Sequence, residues 1–130
     1  MSVEIGMKGR ADTVVVQENT AAAVGSGLVP VFATPYMIAL MENAAVNAVL
    51  PALAEDEGTV GTQLNVAHSA ATPIGMKVWA EAVVTAAEGK KLCYEVVAYD
   101  EAGEIGRGTH ERFIIKPERF LAKVQAKLNG

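Results

Sequence analysis

Residues 34–51, TPYMIALMENAAVNAVLP, decide how the rest of the chain is read. Thr34 suits a helix N-cap, and Pro35 suits the first helical position, where its missing N–H is no loss. Residues 36–50 are apolar nearly all round, and a helix with no wet face is buried rather than laid on a surface. Pro51 should kink or end it. Such a helix needs a cover on every side, and the flanking sequence has to supply it.

Residues 11–17, ADTVVVQ, predict a β-branched strand. Residues 18–33 contain Gly25, Gly27 and Pro30 and predict a loop with one short helix after Asn19, placed to serve as a lid. After Gly58 come four strand-like runs, 60–68, 77–87, 90–99 and 104–115. The last three are joined by short turns at Glu88-Gly89 and at residues 100–103, the signature of antiparallel hairpins. Residues 117–128 predict a short terminal helix with Phe120, Leu121, Val124 and Leu128 on one stripe. The order is strand, buried helix, four antiparallel strands. A curved sheet wrapped around one central helix, an α+β architecture, is the simplest way to cover both. It leaves open edges that a second copy would close.

The chain has 130 residues, so a single domain spanning 1–130 is expected. Hydrophobic residues make up 51% but aromatics only 5%, so the core must be built from Val, Ala, Ile, Leu and Met, and helix and sheet can approach closely. A net charge of −4 argues against nucleic acid as the main partner, which would demand a basic face. Cys93 is the only cysteine, which excludes an internal disulfide and a cysteine-built zinc site and fits a reducing cytoplasm. The opening MSVEIGMKGR has no apolar core of a signal peptide, and no apolar run reaches the roughly 18 residues of a membrane span. A soluble, cytoplasmic protein without membrane contact is expected.

Three residues are candidates for chemistry. Glu42 has Ile38, Ala39, Ala45 and Val46 as its helical neighbours, and a carboxylate in apolar surroundings suits a general base or nucleophile; the plainer alternative is a solvated face shared with Asn43 and Asn47. In the run 60–68, Val60, Leu64, Val66 and His68 share one phase while Gly61, Gln63, Asn65 and Ala67 share the other, so His68 should face the helix. A structural strand-end histidine is the alternative. Thr34 is expected to cap the helix, and its hydroxyl can also bond a substrate carbonyl or the catalytic carboxylate. Free N–H groups near Tyr36 and Met37, and the backbone at Gly61, are candidate oxyanion donors. Arg112 shares a phase with Gly106, Gly108 and His110; it can hold a substrate or CoA group, or form a cross-strand salt bridge. Cys93 reads as inert core and Trp79 as core or interface.

Thr34, Glu42 and His68 lie within ATPYMIALMENAA and GTQLNVAHSAATPIG, and the last strand ends GTHERFII. In these segments the chain resembles the fluoroacetyl-CoA thioesterase-like branch of the hot-dog superfamily, from about Phe32 to Ile115. The resemblance implies a hot-dog fold and a homodimer, with a tetramer left open, that binds acyl-CoA near the subunit interface. It implies catalytic roles for Thr34, Glu42 and His68 and a backbone contact at Gly61. It implies neither a metal nor a cofactor beyond the CoA of the substrate. The chain departs before the helix, where specialised fluoroacetyl-CoA enzymes carry a more aromatic lid. Residues 24–32 offer only Phe32, the candidate acyl contact, which speaks against fluoroacetyl specificity and leaves thioester hydrolysis intact. The expected reaction is hydrolysis of a small or medium acyl-CoA, with the acid and the imidazole converging on one water-poor cleft beside a subunit boundary. A hot-dog hydratase or dehydratase, and a non-catalytic acyl-CoA binding module, are the alternatives.

Overall fold

The computed structural model of the chain describes residues 2–130. Five antiparallel strands form one sheet in the order β1-β3-β4-β5-β2, with β1 at Lys8–Val14, β2 at Gly58–His68, β3 at Lys77–Glu88, β4 at Lys91–Asp100 and β5 at Gly103–Ile115. A short helix α1, Ala21–Val24, and the long helix α2, Thr34–Val49, lie between β1 and β2; helix α3, Pro117–Gln125, follows β5. This is the hot-dog arrangement the sequence pointed to. No helix is long and apolar enough to cross a membrane among the described residues.

Helix α2 buries Met37, Leu40, Met41, Ala44, Ala45, Ala48 and Val49 against the sheet. The sheet answers with Val78, Ala80, Ala82 and Val84 of β3 and Leu92, Tyr94, Val96 and Ala98 of β4, the alternate residues of each strand. Small side chains set the spacing. A Cβ on Gly9 of β1 would collide with the backbone of Ala44 and Ala48, so α2 rests directly on that strand. Pro51 does end the helix: the chain passes into a 3₁₀ turn at Leu50–Ala52.

The first strand lies earlier than its β-branched run suggested. Lys8, Arg10 and Asp12 occupy its outer face, where charge is tolerated, while Val15 turns into the core and its N–H bonds the Met76 carbonyl. Cys93 is not a core residue. It lies half-buried, its Sγ 3.9 Å from the Glu111 carboxylate. Trp79 stacks on Tyr99, with Arg10 over its ring.

One irregularity matters for function. The β2–β5 register slips at Thr62, so the alternation of β2 reverses there. Gly61 lies against Glu42 of α2, and beyond the bulge Leu64, Val66 and His68 are the more buried residues of the strand. Gly61 and His68, assigned to opposite faces by strict alternation, therefore both look toward the helix.

Candidate active site

Thr34 begins α2, but the cap position belongs to Ala33 and no side chain caps the end. The Thr34 hydroxyl is used elsewhere: its Oγ1 lies 2.7 Å from His68 Nδ1. The local cap rule fails here because a tertiary partner takes the hydroxyl. The amides of Tyr36 and Met37 are not free either, since both donate to the Ala33 carbonyl. The Thr34 N–H, by contrast, has no partner among the described residues.

His68 Nε2 is buried without a hydrogen-bond partner. Desolvation lowers the pKa of His68, with the Ala70 backbone opposing, so the ring is neutral near pH 7 and able to accept a proton. Thr34 and His68 line a cleft of about 250 Å³ together with Ala21, Ser26, Phe32 and Ala70. Phe32 is buried and its N–H bonds the Thr72 carbonyl, which ties the segment before α2 to the loop after β2.

Glu42 belongs to a second cluster. Its Oε2 accepts from Arg112 at 3.1 Å, and a Cβ on Gly61 would lie 2.5 Å from the same oxygen. Only glycine leaves room for the carboxylate at that point of β2. Arg112 does form an ion pair, but with the central helix rather than across strands. Its Nε donates to Thr59 Oγ1 at 2.9 Å, one terminal nitrogen to the Thr59 carbonyl at 3.0 Å, and the other faces His110 Nε2 at 3.2 Å.

That geometry fixes the His110 tautomer. A guanidinium only donates, so Nε2 accepts, and Nδ1 carries the proton donated to the Gln63 carbonyl at 2.8 Å. Desolvation holds the His110 pKa down; Arg112 adds to this and the Gln63 and Glu42 contacts oppose it. The sequence signalled His110 only by its shared phase with Arg112, and Thr59 not at all.

Within one chain the structure thus makes two pairs, Thr34 with His68 and Glu42 with Arg112 beneath Gly61. The two do not converge. Eight residues of α2 separate Thr34 from Glu42, about 12 Å of helix, and Gly61 and His68 stand near opposite ends of β2.

A family model, FlK: Fluoroacetyl-CoA-specific thioesterase, matches residues 15–118. The chain belongs to the FlK family. It is a thioester hydrolase. The fluoroacetyl-CoA thioesterase of Streptantibioticus cattleyicolor is 48% identical over 97 residues, covering 75% of this FlK-family chain and 70% of that one. A solved structure of the fluoroacetyl-CoA thioesterase FlK superposes with a TM-score of 0.91 at 39% identity, over 98% of each chain. A hot-dog-like protein from Thermanaerovibrio acidaminovorans, 22% identical, shares the fold with a TM-score of 0.85 over 97% of this chain and 93% of its own.

Proposed function

We propose that the protein hydrolyses small or medium acyl-CoA thioesters as a homodimer, with Glu42 of one subunit working beside Thr34 and His68 of the partner subunit. The observation that carries the reading is the Thr34–His68 pair at 2.7 Å on a cleft, with a neutral imidazole whose second nitrogen is unpartnered. Glu42 attacks the thioester carbonyl or activates the water that does. His68 accepts and returns the proton, Thr34 orients the carbonyl, and the unengaged Thr34 N–H together with the backbone at Gly61 supplies oxyanion donors. Water adds across the carbonyl, the C–S bond breaks, and the products are the free acid and the CoA thiol.

The assembly follows from the edge strand. β2 has β5 on one side only and carries neither a fixed charge nor a proline along Gly58–His68, the features that normally protect an exposed edge. Antiparallel pairing with the same strand of a second copy satisfies that edge. With Thr62 bulged out of the count, a twofold axis through Asn65 sets Gly61 opposite His68 of the partner subunit, and opposed residues of an antiparallel pair face the same side.

The segment before α2 presents aliphatic side chains, Val24, Leu28 and Val29, all exposed. This favours hydrolysis across short and medium acyl groups over selection of fluoroacetyl. Thiol release from acetyl-, fluoroacetyl-, butyryl- and hexanoyl-CoA is the test. Turnover of several with comparable kcat/KM is expected. No thiol release from any of them by the folded protein would overturn hydrolysis, and a strong preference for fluoroacetyl-CoA would overturn the breadth.

A further inference from the structure

Arg112 is only 5% exposed, and it is not held there by Glu42 alone. Four of its five donors point at named acceptors: Thr59 Oγ1, the Thr59 carbonyl, His110 Nε2 and Glu42 Oε2. The guanidinium is clamped in its plane by the edge strand and by a histidine that is itself anchored to the Gln63 carbonyl. The Glu42 side chain keeps 37% of its exposure, and its Oε1 has no donor among the described residues. One carboxylate oxygen is therefore fixed beneath Gly61 while the other is left open.

We propose that Arg112 is a positioning residue for the hydrolysis: anchored by Thr59 and neutral His110, it pins Oε2 of Glu42 so that Oε1 is presented to the thioester. The inference rests on the reading of Glu42 as the reacting carboxylate. It assigns to Arg112 no contact with CoA. A lysine keeps the charge but cannot reach Thr59, His110 and Glu42 together, because it lacks the planar fork.

The test begins with Glu42→Gln, which should lower kcat on the order of 1000-fold to a residual rate that can still be measured. Arg112→Lys should lower kcat roughly 10- to 100-fold, the scale of a misplaced catalytic group, and leave KM within about threefold, since ground-state binding is untouched. In the Glu42→Gln background the lysine should cause no further loss. Thr59→Ala, which frees one anchor without touching the ion pair, should lower kcat in the same direction by a smaller factor, and it decides the matter if the lysine variant does not fold. A wild-type kcat in Arg112→Lys, a loss confined to KM, or an additive loss on top of Glu42→Gln would overturn the proposal. Full activity of Glu42→Gln would instead remove the reading on which it rests.

Discussion

At the scale of single residues, the two histidines sense acid in the same direction. Burial lowers the pKa of both His68 and His110 below the usual 6.5. The folded state therefore holds them neutral, and the unfolded chain takes up their protons first as the pH falls. Their contribution to stability is complete above about pH 6.5 and is lost as the pH drops through their folded values, at up to about 1.4 kcal/mol per pH unit for each ring. The urea midpoint should be flat above pH 7 and fall toward pH 5. His110→Gln should fall less steeply than the wild type; equal slopes would show that His110 does not titrate as described. Part of this site was legible in the sequence and part was not. The phase that joins His110 to Arg112 is a period-2 pattern, visible in the last strand. Their partner Glu42 is 70 residues away, and no local rule reports such a distance. The cap role expected of Thr34 failed for the same reason, because a capping rule cannot see a histidine 34 residues on.

At the scale of elements, the contact between α2 and β1 sets how close helix and sheet can come. Gly9 faces the backbone of Ala44 and Ala48, atoms that cannot turn aside as a side chain would. Gly9→Val should therefore push strand and helix apart and cost about 3 kcal/mol, the upper range for overpacking. The urea midpoint reads this, and a midpoint equal to the wild type would mean that β1 yields freely. The helix itself was legible from Pro35 and the long apolar run, but the expectation of no wet face was not met, since Tyr36, Ala39, Asn43 and Asn47 form an exposed face. The hairpins were legible because their turns carry Gly89 and Gly103, both at positive φ. The start of β1 was not, because Lys8, Arg10 and Asp12 sit on an outer face that composition rules read as loop. The bulge at Thr62 was also hidden: strict alternation over β2 gives the wrong relation between Gly61 and His68, and no residue type announces the slip.

At the scale of the molecule, the separation of Glu42 from His68 makes a specific demand on assembly. If the reacting pair is completed across the twofold axis, a subunit lacking the acid and a subunit lacking the imidazole are complementary. In a heterodimer of Glu42→Gln with His68→Ala, one of the two sites receives both substitutions and the other receives neither. Each variant alone should be nearly inactive. When the two are unfolded together and refolded in equal amounts, random pairing makes about half of the dimers mixed, and each carries one intact site, so activity should return to about a quarter of the wild-type value. A site closed within one chain gives a different result, because every site in every dimer then lacks one group and mixing restores nothing. The same mixture run on a sizing column separates a further case: a monomeric protein cannot complement, and a monomer with wild-type turnover would remove the composite site altogether. Pairing along β2 predicts in addition that Asn65→Pro, on the axis at the centre of the edge strand, lowers dimer content and recovered activity together.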